Sequence, residues 1–295
     1  MIYSSAGAFR RALETRLNAM SRATGQPLTR LRKMVTFERF LARLAVSHGE
    51  TWLLKGGVAI QYRLGERART TLDMDLLADG PRDSIHSTLA SAGLLELGDW
   101  FEYLVGQPHR PVTDDAHSIR FQIEAQLDGR PFEVFHLDVG WGDPVLESAD
   151  VIAAPSLLTF AGLEPVVFRC YPLSQHLGEK VHALTQPHPS GASSRVKDLV
   201  DVLLIASQSD LDAQSVSAAI AATFMARHTH AWPSSLPEPP DSWSLPYQRL
   251  AADVGLAQTE LRTAMEQARR FLHPILQHSA GGAWDPQKSV WRETG

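Results

Sequence analysis

The chain has 295 residues, 44% of them apolar and 21% charged, and a formal net charge of −5. That composition excludes a disordered chain and a protein basic all over, and supplies enough apolar material for one large domain or two lobes. The single cysteine, Cys170, excludes an internal disulfide framework and fits a reducing cytoplasm.

The charge is unevenly spread. Residues 1–49 hold nine Lys or Arg against two acids, a surplus of +7, so the rest of the chain carries −12. Such a segment on an acidic body can mark a polyanion-binding face; the plainer reading is a pair of solvated helices. The first residues lack the apolar run of a signal peptide. The longest weakly polar stretch, 151–163, is too short to cross a bilayer and is broken by Pro155.

Leu31, Met34, Val35, Leu41, Leu44 and Ala45 recur at helical spacing between residues 27 and 49, after an earlier helix that ends near Gly25. The apolar run 51–54 reads as a buried strand, stopped by Gly56-Gly57, with a short helix over 58–64. Residues 72–77 alternate apolar and acidic, a second strand with Leu72, Met74 and Leu76 toward the core. Segments 118–127 and 131–139 flank Asp128-Gly129, a hairpin signal. From residue 173 the pattern is helical, near 173–186, 194–207, 211–227 and 257–278. Five prolines in 233–246 mark a linker or an ordered surface loop. Trp284 and Trp291 read as packing anchors, and His228 and His230 as a helix end. Helices, a small mixed sheet and a helical half, without βαβ alternation, make an α+β chain. Its two parts are expected over 1–150 and 151–295.

The chemistry concentrates in Lys55-Gly-Gly-Val-Ala-Ile60 and Arg67-Ala-Arg-Thr-Thr-Leu-Asp-Met-Asp-Leu76. Two glycines between strand and helix let backbone amides approach a ligand, and a helix start there offers free N–H groups to phosphate. Asp73 and Asp75, two apart on a strand, point to one face. Paired carboxylates with substrate phosphates suit Mg²⁺. In the strand 132–139, Asp138 falls on a face with Val134 and His136, and could bring a third carboxylate to a two-ion phosphoryl-transfer site. Singly, each feature is commonplace: a turn, an exposed strand, a strand end. Their combination is not. Serine-hydrolase, zincin, P-loop and dinucleotide-binding motifs are all missing.

Lys55-Gly-Gly-Val-Ala and Arg69-Thr-Thr-Leu-Asp-Met-Asp-Leu76 resemble the signature of the AbiEii/MenT nucleotidyltransferase toxins, of the DNA-polymerase-β-like superfamily. Glu179-Lys180-Val-His-Ala183 and Arg195-Val-Lys197-Asp198-Leu-Val-Asp201 resemble that family's later helical motifs. By motif the resemblance covers about 28–205. It implies a bilobed, nucleotidyltransferase-type fold, with a small mixed sheet flanked by helices and a mainly helical C-terminal lobe completing the site. It also implies a cytoplasmic toxin with a cognate antitoxin, transferring nucleotides to the 3′ end of tRNA and so blocking aminoacylation, with pyrimidine nucleotides, notably CTP, implied by the MenT branch and GTP by AbiEii itself. Mg²⁺ is the expected cofactor, with Mn²⁺ as the alternative. Transfer to a protein or small molecule, and an inactive binding member, are the competing readings.

Carried over residue by residue, Asp73 and Asp75 are metal ligands and catalytic, with Asp138 as a further ligand. Gly56 and Gly57 bind phosphate. Lys180 meets the triphosphate, with Arg67 and Arg69 as lesser candidates, and Asp198, with Asp201 as the alternative, is the catalytic acid of the helix. Thr71, Lys197 and Asp201 join the nucleotide-binding set. Lys197 and Asp201 are also i, i+4 neighbours able to pair on the surface, while Asp198 points elsewhere on that helix, away from them. Arg30, Arg32, Lys33 and Arg39, from the +7 segment, are the candidate RNA contacts. Phosphorylation of Thr70 or Thr71 would put negative charge beside the metal acids and silence the enzyme.

Overall fold

The computed structural model describes residues 1–109, 118–187 and 195–292. Helices α1 (Ala6–Thr24) and α2 (Leu28–His48) open the chain. Ser5 caps α1 by accepting a hydrogen bond from the Ala8 amide, and Gly25 ends it at φ 73°, a left-handed turn that glycine makes without Cβ strain. Phe9, Leu13 and Leu17, four apart, are its buried stripe.

Strand β1 (Trp52–Lys55), α3 (Gly56–Leu64), β2 (Asp73–Ala78) and α4 (Ile85–Gly93) follow. Then come β3 (Phe101–Val105), β4 (Ser118–Leu127), β5 (Arg130–Trp141), β6 (Asp150–Ala153) and β7 (Val167–Cys170). These seven strands form one mixed sheet in the order β3-β4-β5-β2-β1-β7-β6. Strands β2 and β5 run parallel, as do β1 and β7, and the other neighbours are antiparallel. The β4–β5 hairpin turns on Asp128 and Gly129, at φ 57° and 63°, the positive pair a tight two-residue loop needs. Helix α2 packs on the sheet through edge-to-face contacts such as Phe37 on Phe135, centroids 5.0 Å apart. Leu72 departs from expectation: β2 starts one residue later, and Leu72 is 57% exposed.

The later part holds α5 (Leu173–Thr185), α6 (Val196–Gln208), α7 (Ala213–Arg227), α8 (Ser244–Asp253) and α9 (Leu261–Leu276), then a hairpin of β8 (Ala283–Asp285) and β9 (Val290–Arg292). The expected helix start at 194 lies outside the described residues. Trp284 and Trp291 do anchor packing: their indole N–H groups donate to the carbonyls of Ala206 and Phe271. Among the described residues, no helix is long and apolar enough to cross a membrane.

Two compact units emerge. Unit 1 comprises residues 1–63, 70–142 and 149–170; unit 2 comprises 64–69, 143–148 and 171–295. Unit 1 reaches Cys170 because β6 and β7 pair into its sheet.

The basic N-terminal segment differs most from its sequence reading. Helix α2 is buried continuously from Val35 to Leu44. Arg39 and Arg43, one turn apart on the same face, converge on the fully buried Asp99. Arg39 Nε lies 2.6 Å from Asp99 Oδ2, and Arg43 grips both carboxylate oxygens at 2.7 and 3.0 Å. Lys33 donates to the Val134 carbonyl and pairs with Glu133; Arg32 pairs with Glu14 at 2.7 Å. Arg10 donates to the carbonyls of Leu127, Arg130 and Pro131. Much of the +7 is therefore spent inside unit 1. Arg39, expected to meet RNA, is instead a core ion-pair partner.

Burial alone would raise the Asp99 carboxyl, but Arg43 and Arg39 hold it below its ordinary value. Its stabilisation is thus present above the unfolded-state carboxylate pKa and lost as pH falls through the depressed folded one. Asp99→Ala would leave two guanidinium groups uncompensated. It should cost about 3–5 kcal/mol, read as a lowered melting temperature at neutral pH.

Candidate active site

In unit 1 the acid face is assembled by strand register. Strand β1 is buried throughout and pairs antiparallel with β2, setting Lys55 opposite Asp75. The chain then turns at Gly56, φ 61°, straight into α3. A Cβ at Gly56 would stand 2.0 Å from Asp75 Oδ2 and 2.6 Å from its Cγ. This position must be glycine for two reasons, the left-handed backbone and the Asp75 carboxylate lying across it. Gly57 is buried in the first turn of α3. The helix begins two residues before its expected start, so its unpaired first-turn amides, which favour anions, lie at the Gly-Gly turn itself. Gly56→Ala would force the Asp75 side chain aside. It should keep unit 1 folded with about 1–3 kcal/mol of lost stability and lose nearly all transfer activity. Melting curves and turnover measured on the same preparation check both.

Strand β2 pairs in parallel with β5, matching Asp73 with His136 and Asp75 with Asp138. The three acids therefore share one face, as the alternation predicts. Asp73 and His136 are part-exposed, with His136 Nδ1 3.6 Å from Asp73 Oδ1. Thr71 Oγ1 donates to the Asp73 carbonyl at 3.0 Å, tying down the entry into β2. Met74 and Leu76 fill the opposite face.

A residue missed in the sequence completes this face. Arg120 on β4 stands opposite Asp138 and grips it with both arms, Nε to Oδ1 at 2.7 Å and Nη2 to Oδ2 at 2.5 Å. The same Nη2 is 3.7 Å from Asp73 Oδ2. Hydrogen bonding to Asp138 leads the effects that hold the guanidinium even more firmly protonated than usual. A β-bulge sets this pairing. Near the turn, Gln126 opposes Pro131; past the shift at Ala125 and Gln126, Ala125 opposes Glu133. Without that one-residue shift Arg120 would face Leu137, on the other side of the sheet.

Unit 2 carries a second charged centre. Asp198 and Asp201 lie three apart on α6 and share its buried face. Lys180, from α5, sits between them, its Nζ 2.7 Å from Asp198 Oδ1 and 3.0 Å from Asp201 Oδ2. Arg69 grips Asp201 with both arms, at 2.8 and 2.9 Å, and Arg195 reaches Asp198 at 3.6 Å. Burial alone would raise Asp201, but Lys180 and Arg69 hold its carboxyl below the ordinary range. Burial likewise disfavours the Lys180 ammonium, and the Asp198 and Asp201 carboxylates more than reverse this, raising its pKa. Two sequence readings change here. The surface pair of Lys197 with Asp201 is not made: Lys197 is exposed, whereas Asp201 is fully buried and engaged by Arg69 and Lys180. Asp198 does not point away from Asp201 but shares Lys180 with it. Arg67 is exposed at the end of a short 3₁₀ turn.

A family model described as nucleotidyl transferase AbiEii toxin, type IV toxin–antitoxin system, matches residues 39–273. Among solved structures, MenT4, a nucleotidyltransferase toxin from Mycobacterium tuberculosis H37Rv, superposes with a TM-score of 0.52 at 18% identity, covering 89% of this chain and 98% of its own. A putative nucleotidyltransferase from H. pylori aligns with a TM-score of 0.42 at 14% identity, over 86% of this chain and 95% of that one. No curated protein sequence matches. At 18% identity the likeness to MenT4 speaks for the fold alone, a mixed sheet flanked by helices. The family model spans most of the chain and both charged centres, and on that ground the protein belongs to the AbiEii nucleotidyltransferase toxin family of type IV toxin–antitoxin systems.

Proposed function

We propose that this toxin transfers nucleotides, with CTP the preferred donor, to the 3′ end of tRNA in a Mg²⁺-dependent reaction. The observation that carries the reading is the placement of Asp73 and Asp75 on one face of β2, with Asp75 lying across the Gly56 turn at the start of α3. The donor chemistry fits a divalent ion: two carboxylates beside an anion-favouring helix start are what Mg²⁺ shares with a triphosphate. Among the described residues, no set of three His, Cys, Asp or Glu side chains is placed to hold a metal. Asp73 and Asp75 are therefore the carboxylates that would hold the ion. When bound, the ion would stabilise charge on the reacting phosphate and the leaving pyrophosphate.

The chain's own groups do the rest. Amides at Gly56 and Gly57 bind phosphate oxygens, and Thr71 keeps the β2 entry in place. Lys180 is proposed to neutralise the triphosphate and Asp198 to accept the proton of the attacking hydroxyl. Arg69 is held by Asp201, so its role is to position that centre. For the RNA, Arg30 and Arg32 remain candidates, and the exposed Arg67 and Lys197 join them. Lys33 is tied to β5 and Arg39 is buried, so neither is offered to RNA. The cognate antitoxin is the expected protein partner.

Incubation of the full chain with each α-labelled nucleoside triphosphate, total tRNA and a cell lysate tests the reading. Label in tRNA, strongest from CTP and absent with Asp75→Asn, is expected. Label confined to protein or a small molecule would assign another acceptor. No label anywhere would overturn the enzyme reading.

A further inference from the structure

The acid face of unit 1 already holds a cation of its own. Asp73, Asp75 and Asp138 share that face, and Arg120 is bound in a two-armed grip to Asp138 with one arm 3.7 Å from Asp73. Its guanidinium is about one-third exposed, on an open sheet surface rather than in the core. Such a group is not needed to fill space. It supplies a positive charge where three carboxylates would otherwise repel one another.

We propose that Arg120 is a resident counter-cation of the catalytic acids, which keeps Asp138 out of the metal shell and lowers divalent-ion affinity until a triphosphate draws the guanidinium away. This rests on the reading that Asp73 and Asp75 hold the divalent ion. Three features support it. Asp138 gives an oxygen to each arm of Arg120, so an ion could reach this carboxylate only beside the guanidinium's positive charge. A guanidinium and a divalent ion near the same carboxylates compete by charge. A triphosphate can accept both arms of a guanidinium as a carboxylate does, with more negative charge, so it is the ligand able to take Arg120 over. The toxin would then stay weakly metallated without its nucleotide and become fully charged with metal only as substrate arrives. Asp138 would be a conditional ligand rather than a permanent one.

The test is Mn²⁺ binding to the full chain without nucleotide, read from loss of the free-ion electron paramagnetic resonance signal. Arg120→Gln and Arg120→Met should each tighten Mn²⁺ about tenfold, the effect one adjacent unit charge has on a neighbouring equilibrium. Arg120→Lys, which keeps the charge, should stay near wild type. The gain should vanish in Arg120→Gln combined with Asp138→Asn, since it acts through the freed carboxylate. Asp75→Asn should lose binding in either background. If Asp75→Asn loses Mn²⁺ yet both neutral Arg120 variants bind as wild type does, the counter-cation role is overturned and the metal reading stands. If Asp75→Asn binds Mn²⁺ as wild type does, it is the metal reading that fails. Arg120 variants that only melt at lower temperature, with unchanged Mn²⁺ affinity, would mark an ordinary structural ion pair.

Discussion

Asp75→Asn should abolish nucleotidyl transfer, by about 10³-fold or more, while the protein melts within a few degrees of wild type. The size follows from removing a preorganised charge at a phosphoryl-transfer centre, where a single donor is worth about 10²–10³ in turnover and a metal ligand more. The small stability change follows from the setting. Asp75 is half-buried beside a glycine whose missing side chain gives it room, and asparagine has the same shape. Losing one of several clustered negative charges also relieves repulsion. Asp73→Asn should behave alike, as Asp73 is likewise part-exposed. Full activity in a folded Asp75→Asn protein would remove the basis of the mechanism. Gly56→Ala complements it: there the acid is kept but displaced, so equal loss of activity from both would show that position matters as much as charge.

The sequence carried the acid face because its code is local. A period of two places Asp73 and Asp75 together, and the same period places Asp138 on the face of Val134 and His136. The Gly-Gly turn was legible for the same reason, since strand, turn and helix adjoin in the chain. The hairpin was legible from Asp128-Gly129. Arg120 was not. Its partner lies across a hairpin, and the uninterrupted register from that turn would have put it on the wrong side. One inserted residue, which no residue pattern announces, brought it to Asp138. The basic N-terminal segment misled for a related reason. Counting charges says nothing about direction, and the acid that absorbs Arg39 and Arg43, Asp99, lies more than fifty residues away. The continuous burial of α2 was hidden too, because glutamate and arginine at 38, 39 and 43 interrupt the apolar pattern a buried helix should show.

Lys180→Met should be costly to stability as well as to activity, and the two losses can be separated. The substitution leaves Asp198 and Asp201 on one buried helix face without the ammonium that lies between them. Breaking a buried pair by removing one partner costs about 3–5 kcal/mol, which for a chain of this size lowers the melting temperature by roughly 10 °C. The pH dependence has a definite sign. In the wild type, Asp201 is held below its ordinary pKa, so its contribution is present above the unfolded-state carboxylate pKa and lost as pH falls through the folded one. Without Lys180 only Arg69 opposes burial, the Asp201 pKa climbs, and acid unfolding should begin at higher pH. Combining Lys180→Met with Asp198→Asn removes one of the two stranded charges and should recover part of the stability. It should recover none of the transfer activity if Lys180 itself meets the triphosphate. Lys180→Arg separates the roles from the other side: it keeps the charge for both aspartates, but a planar fork cannot occupy the place of a compact ammonium between two carboxylates. A stable Lys180→Arg protein with a raised KM for nucleotide would place the ammonium on the substrate. A stable one with unchanged kcat and KM would confine Lys180 to holding α5 against α6.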